Sequence, residues 1–317
     1  MGGTGAWGLR GLGYVGIGTP DPAEWLHFGT EVCGLMPARI LPDARQGGVA
    51  VPTLEAGGMA ADGSVYLKVD ERQWRIAVHP AHEPGLQYLG FELPNANAVE
   101  GLARELDGMG IKVVRGVREL CEARGVEVLV ALEDPAGHRI ELFCGPVVDR
   151  EFVSPHGAHF LTGELGLGHA VLYVPDLQAA LDFYRRAFGF ERRDYMQFGP
   201  DMGIHFLGCT PRHHCLALLR VGNHSGLQHL MLEMTTLDAV GRAQDRALAH
   251  EVPITSNLGR HINDRAVSFY MQGPSGFDVE IGWDALLVGE DWIEHEFAGT
   301  GDEWGHHGLD AEAMKPR

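Results

Sequence analysis

LGYVGIGTPDPAEWLHFGTEVCG (residues 12–34) and LGHAVLYVPDLQAALDFYRRAFG (residues 167–189) align without a gap. Both run Leu-Gly, a short apolar strand, Pro-Asp, an amphipathic stretch and a closing Gly. Asp21 and Asp176 stand where a side-chain oxygen can cap a helix N-terminus. Pro22 suits the first helical turn, and Gly34 and Gly189 suit the left-handed position after the last one. Each copy therefore predicts a strand followed by a helix.

Outward from this pair, LQYLGFELPNANAV (86–99) matches LQHLMLEMTTLDAV (227–240), again a strand leading into a helical stretch. DPAGHRIELF (134–143) and GPSGFDVEIG (273–282) each place a Gly turn before an alternating strand that carries a Glu. A strand–helix unit of about sixty residues thus recurs four times. The 317 residues read as an α+β protein with two similar domains, 1–150 and 151–290, joined through a polar stretch at 146–166. Residues 291–317 read as an irregular acidic tail, and the Gly-rich residues 42–63 as a surface insertion in the first domain.

Composition narrows the partners. With 25 Lys and Arg against 43 Asp and Glu the net charge is −18, which opposes binding to nucleic acid or to an anionic membrane surface. No apolar run of about 18 residues is present, and the N-terminus lacks a basic-then-apolar leader, so a cytoplasmic location is expected. The five cysteines form no CxxC pair and suit free thiols. A small molecule is the expected partner.

The two halves differ where it matters. Tyr14, Tyr88 and Glu141 in the first half correspond to His169, His229 and Glu280 in the second. A single His or Glu in a strand is usually hydrogen-bonded or solvent-facing. Here two His and a Glu stand at matching places in repeated strands, and an unpaired buried carboxylate is costly. Two His and one carboxylate form a facial triad suited to iron(II), which leaves positions open for substrate and oxygen. The hairpin turning at residues 273–276 would set Tyr270 almost opposite Glu280, with the two side chains about 5 Å apart. His213 and His214 are adjacent, so in a strand they would point to opposite faces and only one could enter a pocket.

LGLGHAVLYVPD (165–176), CTPRHHCLAL (209–218), QHLMLE (228–233) and LGRHINDRAVSFYMQGPSGFDVEIGW (258–283) resemble the type I extradiol ring-cleavage dioxygenases of the vicinal oxygen chelate superfamily. The likeness spans roughly residues 10–290. It implies four βαβββ modules, two per domain, each domain a curved mixed sheet enclosing a cavity, with an active site only in the second. It implies Fe(II), or Mn(II), held by His169, His229 and Glu280, and His214, His261 and Tyr270 as catalytic residues. In that scheme His214 supplies a hydrogen bond to the oxygen species, Tyr270 holds a diol oxygen, and His261 assists proton transfer. Asn263 and Asp264 steady the His261 loop or line the substrate pocket, while Trp304-Gly305-His306 resembles a family tail motif. The implied reaction opens a catechol-type diol with O2 beside, not between, the hydroxyl-bearing carbons, with both oxygen atoms incorporated. A homo-oligomer is also implied. MQFGPDMGIHFLG (196–208) is shorter than in many biphenyl-type relatives, which leaves substrate size open. Two other activities use such a scaffold: isomerisation or thiol transfer with a different metal, and metal-free small-molecule binding. The first does not need His214, His261 and Tyr270 together, and intact His169, His229 and Glu280 oppose the second.

Overall fold

The computed structural model describes residues 7–38, 58–200, 202–289, 291–298, 301–308 and 314–316. The first half runs β1 (Leu12–Thr19), α1 (Pro22–His27), a π-helical turn (Phe28–Cys33), β2 (Met36–Pro37), β3 (Val65–Lys68) and β4 (Ile76–Pro80). It continues with β5 (Gly85–Glu92), α2 (Ala96–Gly108), β6 (Val114–Arg115), α3 (Arg118–Arg124), β7 (Val128–Glu133) and β8 (Arg139–Cys144). The second half repeats the plan: β9 (His169–Tyr173), α4 (Leu177–Phe188), β10 (Glu191–Gly199), β11 (Met202–Gly208), β12 (Leu216–Val221) and β13 (Gly226–Met234). Then come α5 (Leu237–Ala249), β14 (Ile254–His261), β15 (Val267–Gln272), β16 (Asp278–Trp283), β17 (His295–Phe297) and β18 (Asp302–Trp304).

The local signals act as expected. Asp21 and Asp176 accept hydrogen bonds from Ala23 N and Ala179 N, and Gly34 and Gly189 adopt φ of 79° and 71° where their helical segments end. An isolated helix as short as α4 is marginal in water. Burial of Leu181, Tyr184 and Phe188 against the sheet holds it in place, at about 1.5–3 kcal/mol for a large apolar side chain.

The first sheet has the order β2-β3-β4-β1-β5-β8-β7-β6, and the second β17-β10-β11-β12-β9-β13-β16-β15-β14-β18. Each four-strand module closes on itself through a parallel pair: β1·β4, β5·β8, β9·β12 and β13·β16. Antiparallel pairs β1·β5 and β9·β13 then join two modules per sheet. Residues 291–317 differ from the irregular tail expected. Their two short strands, β17 and β18, hydrogen-bond to β10 and β14. The insertion expected at 42–63 lies mostly outside the described residues, as 39–57 do.

Strand alternation sorts the side chains into two faces. Ala170 and Leu172 of β9, Leu230 and Leu232 of β13, and Val279 and Ile281 of β16 join one apolar core with the helices and the first half. His169, His229 and Glu280 alternate with them and face the concave side. In the first half that side is filled by Tyr14, Trp74, Tyr88, Leu129 and Phe143. The five cysteines are free thiols, and among the described residues no helix is long and apolar enough to cross a membrane.

Candidate metal centre and catalytic site

Three adjacent strands, β9, β13 and β16, bring the donors together. Met231 pairs with His169 on one side and Glu280 on the other, which sets the depth at which the three side chains project. A bulge in β13 between Leu227 and His229 turns two consecutive residues, Gln228 and His229, to the same cavity. Gln228 Oε1 then accepts the Nδ1–H of His229, which leaves His229 Nε2 as a lone-pair donor. His169 Nε2 and His229 Nε2 are 3.0 Å apart, and each is 3.2 Å from Glu280 Oε2. A face of an octahedron with bonds of about 2.1 Å has edges of about 3.0 Å, close to this triangle.

The residues fit a cation. Glu280 is fully buried, and neither carboxylate oxygen makes a hydrogen bond, although three imidazoles approach it, His169 and His229 at Oε2 and His261 at Oε1. Burial alone would raise its pKa, yet His169, His229 and His261 hold it well below the ordinary carboxylate value. A buried charge without hydrogen bonds is expensive, and an ion among three lone-pair donors removes that cost. Two further clusters, His169–His214–Asp264 and His261–Asp302–His306, have ligand atoms equally close. Several of their ligand atoms already have protein partners: Asp302 Oδ1 accepts from His261 Nδ1 at 2.8 Å and His306 Nδ1 at 2.6 Å, Asp264 Oδ1 accepts from Ala266 N, and His214 Nδ1 meets His213 Nδ1 at 3.0 Å.

Around the triangle stand the other residues singled out from sequence. Tyr270 pairs directly with Glu280 across the β15–β16 hairpin, as the turn at 273–276 implied. Its hydroxyl is 2.8 Å from His261 Nε2. Burial and the charges of Glu280, Asp264 and Asp302 push the Tyr270 pKa well above its usual value, so it is a neutral phenol. Burial lowers the His261 pKa, but Asp302 and Glu280 raise it to about 10. His214 is held neutral, first by burial and then by His169 and His213. Asn263 and Asp264 are buried and line the same cavity. The strand alternation considered for His213 and His214 does not apply, because neither lies in a strand. They precede β12 in a bend, their Nδ1 atoms meet at 3.0 Å, and of the two only His214 lines the cavity.

Residues 11–142 and 166–281 match the Glyoxalase/Bleomycin resistance protein/Dioxygenase superfamily. The chain is 36% identical over 310 residues to an iron-dependent extradiol dioxygenase of Rhodococcus jostii (strain RHA1), covering 94% of this chain and 97% of that one. It is 38% identical over 307 residues to the biphenyl-2,3-diol 1,2-dioxygenase of Paraburkholderia xenovorans (strain LB400), covering 94% and 95%. The chain belongs to the extradiol dioxygenases of this superfamily. The crystal structure of a halotolerant catechol dioxygenase superposes with a TM-score of 0.85 at 33% identity, covering 96% of each chain.

Several residues of the candidate site escaped the sequence reading or stood in it without a role. Gln228 was visible only as a neighbour of His229, and its role depends on a bulge. Asp302 and His306 come from the tail, where His306 is buried and also contacts Ser268 O at 3.0 Å. The motif at 304–306 thereby orients Asp302 toward His261. Within the short 196–208 stretch the described residues of β10 and β11 pair antiparallel, and Met196, Ile204 and Phe206 wall the cavity with Val171, Leu219 and Met314.

Proposed function

We propose that the chain opens a catechol-type diol with O2 at the ring bond beside its two hydroxyl-bearing carbons, using Fe(II) held by His169, His229 and Glu280. The observation that carries this reading is the buried, unsatisfied Glu280 carboxylate at the apex of two converging imidazoles, beside a cavity that also holds His214, His261 and Tyr270. Bound there, iron(II), or manganese(II) as the other ion such donors accept, supplies Lewis acidity toward the diol and the redox capacity that dioxygen chemistry needs.

The chain's own residues do the rest. Tyr270 donates its phenol hydrogen to a diol oxygen. His261, oriented by Asp302, lies 2.8 Å from that phenol oxygen and exchanges a proton with the diol through it. His214 offers the ring nitrogen not bonded to His213 to the face where oxygen reacts. In a site walled by Val171, Met196, Ile204, Phe206 and Leu219, such preoriented groups act far more strongly than in water. Among the described residues no Lys or Arg lines this cavity, so an apolar ring substituent suits it better than a carboxylate.

The test is anaerobic reconstitution with Fe(II), in parallel with Mn(II), followed by air and a panel of diols from catechol to dihydroxybiphenyl and dihydroxynaphthalene. A yellow ring-opened product with matching O2 uptake is expected. Silence across the panel with metal bound would favour isomerase or transferase chemistry.

A further inference from the structure

We propose that Asp194 and His213 are positioning residues that fix which nitrogen of His214 carries its proton. Asp194 lies on β10 and is fully buried, and His213 is 1% exposed. Both carboxylate oxygens are occupied: Oδ2 is 2.6 Å from His213 Nε2, and Oδ1 accepts the backbone N–H of His295 at 2.8 Å. The Trp292 ring meets the His213 ring edge-on at 5.4 Å, which shields the pair.

A carboxylate can only accept, so His213 keeps its proton at Nε2. When the His213 ring carries this single proton, its Nδ1 holds a lone pair. The 3.0 Å contact between the two Nδ1 atoms holds one proton, and that proton must belong to His214. Asp264 Oδ2, at 3.9 Å from His214 Nδ1, is too distant to compete. His214 Nε2, which makes no hydrogen bond among the described residues, is left bare toward the cavity as an acceptor. A proton taken there from a diol hydroxyl can be matched by passage of the Nδ1 proton to His213. The positive charge then faces Asp194, and His214 becomes a donor at Nε2 without itself turning cationic.

This inference rests on the role proposed for His214. The experiment is a two-bond 15N–1H correlation spectrum of the full chain, labelled at histidine and loaded with diamagnetic zinc, with His214 assigned through His214→Gln. A protonated Nδ1 and bare Nε2 are expected. Asp194→Asn, which offers one acceptor where two are needed, should reverse or mix the tautomers. It should also lower kcat of the iron-loaded enzyme by about 100-fold, with KM for the diol changed less than about twofold. A protonated Nε2 in the wild type overturns the proposal even if the variant fails to fold, and so does an unchanged tautomer in Asp194→Asn. Full kcat in His214→Gln would instead refute the role of His214, while the tautomer remains readable.

Discussion

Glu141 and Glu280 stand at the same place in the two sheets. Gly90 pairs with Tyr14 and Glu141 as Met231 pairs with His169 and Glu280, and both carboxylates are fully buried. Their surroundings are opposite. Glu141 accepts from Tyr14 Oη at 2.7 Å, Arg124 Nε at 2.9 Å, Arg124 Nη2 at 3.1 Å and Arg139 Nε at 3.0 Å. Glu280 has no hydrogen bond. The first half answers a buried negative charge with a guanidinium of its own, delivered by α3. Among the described residues of the second half no helix stands there, and the bend between β14 and β15 carries Asn263 and Asp264 instead.

Glycines complete the first arrangement. A Cβ on Gly90 would lie 2.3 Å from the Tyr14 ring, and one on Gly16 would lie 2.2 Å from the Tyr88 ring. The matching residues of the second half are Met231 and Val171, beside the smaller imidazoles. One fold thus gives a plugged interior or an exchangeable ion site, according to whether the compensating cation is part of the chain.

The largest effect expected from breaking this contrast is in His229→Ala. Bound metal, by elemental analysis of the reconstituted protein, should fall to background, and product formation should vanish with it. Stoichiometric metal in that variant would place the centre elsewhere. Next comes Arg124→Met, which strands part of the Glu141 charge. Urea denaturation should show a loss of about 3 kcal/mol, with metal content unchanged and kcat within about twofold. Gln228→Leu sharpens the second half: metal affinity in a chelator competition should weaken about 10- to 100-fold, because His229 loses the acceptor that orients its ring. The smallest effect belongs to Tyr14→Phe, which removes one hydrogen bond to a buried charge that keeps two arginines. About 1.5 kcal/mol in the same denaturation assay is expected.

The repeat, the caps at Asp21 and Asp176, and the pairing of Tyr270 with Glu280 were legible because each depends on neighbours close in sequence or on register within one hairpin. His169, His229 and Glu280 stood out because the first half offers an internal control at Tyr14, Tyr88 and Glu141. Gln228 was not legible, since a period-two strand would send it to the face opposite His229, and only the bulge brings both to one side. Asp194, Asp302 and His306 reach the site through pairings between distant segments. The strands that carry two of these contacts, β17 and β18, are only three residues long and have no periodicity to read. Arg124 was equally hidden, lying on a seven-residue helix whose sequence reads as an exposed surface.

β17 and β18, within residues 295–304, occupy opposite ends of the ten-stranded order. One short segment therefore clasps both margins of the sheet, where unpaired backbone groups would otherwise invite another chain. The eight-stranded sheet manages its margins differently, ending in two-residue strands, one of which contains Pro37. A single proteolytic cut between Phe297 and Asp302 would loosen both ends of the clasp together. It would bare the long margins of β10 and β14, turning a protected sheet into a template for aggregation.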